Sequence, residues 1–93
     1  MSMDSDVKAV TITGTGAAVS RRARVRGIFY HVGGGVGTLT FKDGTDTTVD
    51  ITLTLNSNSD GYMLLPGRGV LFETNINCTA FTNMTSVTLF YEG

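Results

Sequence analysis

Cysteine, histidine and lysine are scarce in this 93-residue chain and tryptophan is absent, and several of these features exclude a class of structure or function. The one cysteine, Cys78, rules out a disulfide within the chain. One cysteine and one histidine are also too few for a structural zinc site. A chain of this length buries only about 60–65% of its unfolded surface. Stability must therefore come from a well-packed core, or from packing against copies of the chain or a larger partner.

Long apolar runs and a strong net charge are absent as well. No stretch approaches the roughly 18 apolar residues that a membrane-spanning helix needs. Residues 1–6 carry acidic side chains where a signal peptide carries basic ones, which predicts a protein made in a cytoplasm and not secreted. The formal net charge of −1 creates no overall field that attracts nucleic acid or an anionic membrane. We therefore expect neither nucleic acid nor a membrane as a partner.

Alternation of apolar and small polar residues fills most of the chain, and glycine or asparagine interrupts it. In residues 49–55 the odd positions are apolar, and the even positions are Asp or Thr. Successive side chains of a strand lie on opposite faces, so this segment has one apolar face and one polar face. No long segment has helical spacing, and the fifteen threonines suit the exposed faces of strands. The pattern predicts an all-β protein.

Strand-like segments recur at a spacing of roughly 8–12 residues, which indicates seven or eight short strands. This count is typical of a small antiparallel β-sandwich, of jelly-roll or other Greek-key type. We expect residues 1–6 to form a flexible N-terminal arm and residues 7–93 to form a single sandwich domain. Such a domain would gain most from forming homo-oligomers, because neighbouring copies cover exposed strand edges.

Three local features give sharper expectations. Residues 24–32 have no purely apolar face, and the lone glycine Gly27 predicts a bulge or bend there. Pro66 and Gly67 fit positions i+1 and i+2 of a type II turn. The alternation also assigns faces: Leu39 and Phe41 are expected to point inward and Thr38 and Thr40 outward. The side chains of Ile76, Cys78 and Ala80 are expected to share one face.

Residues that carry chemistry are few, and none has the neighbours that catalysis requires. His31 has no recognisable nucleophile or orienting carboxylate in a motif, which favours a satisfied or interface histidine over a catalytic one. Cys78 is in phase with apolar neighbours and has no adjacent basic residue, so it resembles a buried apolar side chain. The sequence therefore predicts a protein that is not an enzyme.

Two further motifs lack the context of a binding site. The glycine-rich residues 33–37 superficially match a phosphate loop, but a strand follows them where such a loop needs a helix N-terminus. Asp43, Asp46 and Asp50 do not have the spacing of a calcium loop and are expected to be solvated turn acids, as is Asp60. We expect no cofactor and no metal.

The stretch Arg21–Arg26 contains four of the seven basic residues. If it is extended, Arg22, Arg24 and Arg26 share a face. Three roles stay open: ion pairing with a protein partner or neighbouring subunit, a solvated strand edge, or contact with nucleic acid. Arginine favours the first, because its planar guanidinium pairs bidentately with carboxylates. The aromatic candidates for partner contact are Phe29, Tyr62 and Phe72.

Four segments of strand and turn resemble those of small virion proteins of tailed phages, notably phages of cyanobacteria and marine bacteria. They are residues 26–30 (RGIFY), 37–44 (GTLTFKDG), 64–72 (LLPGRGVLF) and 87–91 (VTLFY). The resemblance spans most of residues 24–92. It implies a non-enzymatic particle component of the capsid decoration or cement type, and it supplies no site residues.

These observations lead to one expected function and two alternatives. The expected function is that of a capsid decoration protein, which would bind the major capsid protein or another virion protein and stabilise the shell. It would reside in the virion, plausibly as a trimer. One alternative is a tail, baseplate or fibre-associated module. The other is a carbohydrate-binding module for host attachment, which needs exposed aromatic platforms, although the chain has no Trp and only three Tyr.

Overall fold

The computed structural model describes residues 7–44, 46–67 and 69–93, with the backbone alone for residues 46–50. The predicted arm, residues 1–6, lies outside the described residues. The described chain is all-β, with one strand more than the upper end of the expectation and no helix that could span a membrane. The nine strands are β1 (Lys8–Ile12), β2 (Gly16–Val19), β3 (Ala23–Val32), β4 (Gly37–Asp43), β5 (Asp46–Leu55), β6 (Asp60–Leu64), β7 (Val70–Phe72), β8 (Ile76–Thr82) and β9 (Met84–Glu92).

The strands form two sheets with the jelly-roll order. The five-stranded sheet runs β1-β9-β3-β6, with β7 also paired to β3, and the four-stranded sheet runs β2-β8-β4-β5. Every pairing is antiparallel. If β7 is set aside and the other eight strands are lettered B to I in chain order, the sheets read BIDG and CHEF. That is the jelly-roll arrangement, so the predicted sandwich is confirmed.

The core lies between the two sheets and follows the alternation in the sequence. On β5, Thr52 and Thr54 are exposed, whereas Leu55 is buried. The predicted inward positions of β4 are confirmed, because Leu39 and Phe41 are buried. The rest of the buried cluster comes from both sheets and consists of Val19, Ala23, Val25, Ile28, Phe72, Ile76, Cys78, Val87 and Leu89.

A bulge in β3 confirms the expectation from Gly27. Val25 pairs with Tyr91 and Gly27 pairs with Phe90, which leaves Arg26 as an extra residue opposite β9. Before the bulge the odd position Val25 is buried, and after it the even position Ile28 is buried. The bulge thus switches which set of alternating residues faces the core, and this is why neither face of the segment is purely apolar.

A second bulge, in β8, overturns one face assignment. Phe41 pairs with Cys78 and Thr40 pairs with Ala80, so Thr79 is the extra residue. Ala80 consequently lies beside Thr40 on the outer face, and Phe81 packs against the core in its place. Thr40 itself is only 9% exposed, because its central strand sits between Ala80 and Thr52. The prediction for Ala80 was therefore wrong, and Thr40 points outward without being solvated.

The turn after Leu65 starts one residue later than predicted. The Pro66 carbonyl accepts a hydrogen bond from the Gly69 N–H at 3.1 Å, so Pro66 is the first residue of the turn and Gly67 the second. Gly67 has a φ of +61°, which mirror-image turns require at their second position. The predicted placement of Pro66 at i+1 is corrected accordingly.

Asp43 is not the solvated turn acid that the sequence suggested. It is buried at the end of β4, and its carboxylate accepts hydrogen bonds from the backbone N–H groups of Glu73 at 2.9 Å, Thr74 at 2.7 Å and Asn75 at 3.4 Å. Asp43 therefore fixes the connection between β7 and β8. Because its oxygens face N–H donors, they are not presented to a cation. The side chains of Asp46 and Asp50 lie outside the described residues.

This arrangement predicts acid-sensitive stability. The N–H groups of Thr74 and Glu73 hold the pKa of Asp43 below its ordinary value of 3.8. A carboxyl that is more acidic in the folded state stabilises the fold fully above about pH 5, and the benefit is lost as the pH falls through the folded-state pKa. In urea titrations at pH 7, Asp43→Asn should be clearly less stable than the parent, and the difference should shrink towards pH 2. Asp60→Asn, with its exposed carboxylate, is the matched control. A constant difference between pH 7 and pH 2 would contradict this role.

Candidate partner-binding face

The outer face of the five-stranded sheet carries the largest exposed apolar side chains of the sheet. Leu64 is 74% exposed, Tyr62 53% and Phe29 36%. Tyr62 and Leu64 alternate with Met63 along β6, and Phe29 pairs directly with Tyr62 across the β3–β6 ladder. Phe90 of β9 contacts Tyr62 edge to face, with ring centroids 5.7 Å apart. We call Phe29, Tyr62, Leu64 and Phe90 the aromatic patch.

The bulged strand β3 positions the centre of this patch. Gly27 lies between Leu64 and Phe90 in the cross-strand row, and a Cβ there would meet the Tyr62 hydroxyl at 2.6 Å. The Tyr62 ring therefore lies over the backbone of Gly27, which is buried although it faces outward. An aromatic side chain that covers a cross-strand glycine is a recurring stabilising device in sheets. Because Gly27 has no side chain, the Tyr62 ring can pack on its backbone, and about half of the Tyr62 side chain stays exposed to solvent.

Basic side chains gather at the end of the sheet where Gly93 lies. Lys8 and Arg21 both donate to the Gly93 backbone oxygen, at 2.7 Å and 3.5 Å. Arg26 forms an ion pair with Glu92. The set of Lys8, Arg21, Arg22, Arg24 and Arg26 is called the basic end.

The predicted arginine row is not regular. Arg22 precedes β3, Arg24 alternates with the buried Ala23 and Val25, and Arg26 is the bulge residue. Within the described part of the chain, neither Arg22 nor Arg24 forms an ion pair. Arg26 already has a partner in Glu92, so Arg22 and Arg24 are the arginines of the described basic end that have no ion-pair partner and are available to another molecule.

At the opposite end of the face, three polar residues lie in one cross-strand row. Asp60 pairs with His31, and His31 pairs with Ser86 on β9. The His31 Nδ1 and an Asp60 oxygen are 2.9 Å apart, and the Phe29 ring packs edge to face on the imidazole at 4.7 Å. Asp60 is thus a partner of His31 and not a free turn acid.

Ser86, His31 and Asp60 follow the order of a catalytic triad, but the described residues lack a hydrogen bond between the serine and the histidine and lack free backbone donors for an oxyanion. No hydrogen bond joins His31 to Ser86 among the described residues, and Ser86 stands within the β3–β9 ladder. Backbone N–H groups held in a ladder are not free to form an oxyanion hole. The arrangement supplies hydrogen-bonding groups at a surface, and it can orient a bound molecule.

Phe72 does not belong to this face. It was a candidate for partner contact, but it is fully buried in the core beside Ala23. The aromatic ring of β7 thus supports the fold, whereas Phe29 and Tyr62 remain available for contact. Arg24, Phe29 and Tyr62 are brought onto one sheet face, with Arg22 at its margin.

Cys78 lies in the core, as its position in the alternation predicted. Burial raises the pKa of its thiol, which disfavours the reactive thiolate. We expect the native thiol to react with a disulfide reagent at least ~10²-fold more slowly than the thiol of a Thr79→Cys variant, whose side chain is exposed. The assay is the absorbance of the released thiolate, with urea-unfolded protein as the positive control. Rapid modification of the folded parent would contradict the buried position.

The remaining candidates carry no reactive groups. Residues 33–36 form a turn whose backbone is held by Asn83 and Ser57, and β4 follows it as predicted, so no helix N-terminus stands there. An open concavity of about 390 Å³ is lined by residues 11–17, none of which is titratable. In the described ranges, no three His, Cys, Asp or Glu side chains lie together as a metal site would require.

Sequence reasoning missed Leu64, Asp60 and Glu92. The alternation Asp60-x-Tyr62-x-Leu64 was available as a signal, since it places all three on one strand face. The ion pair between Arg26 and Glu92 joins residues 66 apart in sequence, and nothing in the local pattern indicates it.

No protein-family model, curated protein or solved structure matches this chain. The resemblance to virion proteins of tailed phages therefore stays an expectation carried by the sequence segments alone.

Proposed function

We propose that this protein is a non-enzymatic structural component of a tailed-phage virion, and that it decorates or cements the capsid. The observation that carries the proposal is the aromatic patch on a rigid sheet face. Large apolar side chains exposed together on one face mark contact sites, and scattered ones do not. The jelly roll is a fold of viral capsid proteins, and this supports the proposal by analogy.

The mechanism is adhesion by many weak contacts. Each copy would bind the major capsid protein or a neighbouring virion protein through a modest surface. When one copy bridges sites that are already tethered in a shell, the second contact forms at high effective concentration. Homo-oligomers such as trimers would also cover the edge strands β1 and β6 of the five-stranded sheet.

Quantitative mass spectrometry of purified virions tests this function. We expect hundreds of copies per particle, found with the heads after heads and tails are separated. Tens of copies or fewer, found with the tails, would instead support the tail, baseplate or fibre alternative. Absence of the chain from both fractions would overturn a virion role.

One observation favours a second candidate, a carbohydrate-binding module. Tyr62 and Phe29 are exposed next to the hydrogen-bonded pair of His31 and Asp60. Sugars bind to such combinations, because their apolar ring faces stack on aromatic side chains while their hydroxyls bond to polar groups. Binding on a glycan array that is lost in Tyr62→Ala would support this candidate. A flat array would dismiss it.

A further inference from the structure

We propose that the outer face of the five-stranded sheet docks on an acidic protein surface, with the aromatic patch as its apolar contact and Arg22 and Arg24 paired with carboxylates. This inference rests on the proposed function, and it identifies the contact surface and the chemistry of the partner. Three observations carry it: the position of the patch, the uncompensated charge of the basic end, and the size of the face.

The patch has the layout of an interface core with a polar rim. Leu64 and Tyr62 lie on the edge strand β6 and Phe29 lies on its neighbour β3, in adjacent rows midway along the strands. Arg24 lies beyond them at one end, and the pair of His31 and Asp60 lies at the other. Protein interfaces concentrate aromatic residues at the centre and polar groups at the rim, and the central residues dominate affinity.

The charge at one end of the face selects the partner's chemistry. Among the described residues, the basic end has five basic side chains, and three acidic residues lie nearby: Glu92, Glu73 and Asp43, whose carboxylate accepts a hydrogen bond from the Glu73 N–H. Glu92 is paired with Arg26. Glu73 follows Phe72, the partner of Ala23, and is exposed, but among the described residues it forms no ion pair. The described residues at this end thus include five basic and three acidic side chains, in a chain of net charge −1, and carboxylates on a partner would complement the basic excess.

The size of the face favours a partner that offers many tethered sites. Four strands about 4.8 Å apart give a width of about 14 Å, and the residues from Arg24 to His31 give a length of about 20 Å. The resulting plan area of about 300 Å² is below the roughly 800 Å² per partner of a standard stable interface. A free dimer of this chain would be weak on this face alone, whereas a repetitive protein shell compensates by multivalency.

Nucleic acid fits the face less well. Arg22 and Arg24 would neutralise about two phosphates, and each phosphate contact contributes separately to salt-dependent affinity. The most exposed large apolar side chain is the aliphatic Leu64, which has no stacking surface for a base, so only Tyr62 and Phe29 could stack. The observations therefore favour a protein partner whose surface has carboxylates beside an apolar area that accepts the aromatic patch.

The experiment measures co-sedimentation with phage particles that lack this protein, separated into heads and tails. Two face variants are compared with the parent: Tyr62→Ser with Leu64→Ser, and Arg22→Glu with Arg24→Glu. The matched controls are Val36→Ser, an exposed apolar residue in the turn before β4, and Lys42→Glu, a basic residue of the other sheet. Thermal melting would check that each variant is folded before binding is compared.

We expect the apolar double variant to bind at least ~30-fold more weakly, which is the effect of truncating residues that dominate an interface. At low salt, the charge-reversal variant should bind at least about tenfold more weakly than the parent. This difference in affinity should become smaller at high salt. Both controls should bind like the parent. Equal binding by folded face variants would overturn the inference and leave the proposed function standing. No binding by the parent to heads or tails would overturn both.

Two measurements test whether the face instead binds a second copy of this chain or a nucleic acid. Analytical ultracentrifugation that finds a dimer dissociated by Tyr62→Ser with Leu64→Ser would assign the face to a second copy and overturn the acidic partner. Fluorescence anisotropy with a duplex DNA oligonucleotide should show no binding at physiological salt. Binding that Arg22→Glu with Arg24→Glu abolishes would assign the basic end to nucleic acid and overturn the proposal.

Discussion

Phe72→Ala should lower the free energy of unfolding by about 3–5 kcal/mol, the range typical of a large aromatic side chain removed from a core. Phe72 is fully buried, and it comes from β7, a strand of three residues that pairs with β3. So short a strand cannot collapse to fill the cavity without losing its pairing with Ala23 and Val25. Urea denaturation monitored by circular dichroism gives the free energy.

Phe29→Ala is the matched control. Phe29 lies on the same five-stranded sheet but on its outer face, where its ring contacts His31. Its removal should cost about 1 kcal/mol, which is the scale of one aromatic contact. If both variants lost the same free energy of unfolding, the assignment of Phe72 to the core and of Phe29 to an exposed contact face would be contradicted.

Gly69→Ala should be the most damaging of the glycine substitutions at turns. Gly69 has a φ of +92°, and an added Cβ would overlap the carbonyl oxygen of Val25. The oxygen belongs to the backbone just before the β3 bulge, so the bulge would have to shift. Backbone strain and overpacking each cost about 1–3 kcal/mol, which gives an expected loss of about 2–6 kcal/mol.

Gly67→Ala separates the cost of a left-handed backbone conformation from the cost of steric overlap. Gly67 lies in the same turn with a φ of +61°, and an added Cβ there would meet nothing within 4 Å. Gly67→Ala should lower the free energy of unfolding by about 1–2 kcal/mol, the cost of a left-handed conformation alone. The comparison uses the urea midpoints at an unchanged slope of the transition. If Gly69→Ala were no worse than Gly67→Ala, the close approach of Gly69 to β3 would be wrong.

The fold was predictable where one strand face is apolar throughout. Leu39 and Phe41 took their inward positions because nothing interrupts the alternation of β4 before Asp43. The β3 bulge was also predictable, because Gly27 marks it. The β8 bulge was not, since Thr79 is an ordinary strand residue and the extra position arises from pairing with β4. Local patterns report bulges only when a glycine or proline signals them.

The candidate face was predictable in part. Phe29 and Tyr62 were identified as aromatic residues, but their contact depends on the jelly-roll order that places β6 beside β3. Asp43 was misread because its three donors lie some 30 residues away in sequence. Long-range partners decide whether an acid is solvated or structural, and composition does not contain them.

Amide hydrogen exchange of the protein bound to phage heads tests the central claim most directly. The claim is that a rigid sheet face, and no reacting group, performs the function. The predicted result is new protection in β6 and in β3 from Arg24 to His31 on binding, with no change at Thr52 and Thr54 on the outer face of the four-stranded sheet. Protection confined to the four-stranded sheet, or none at saturating heads, would contradict the account.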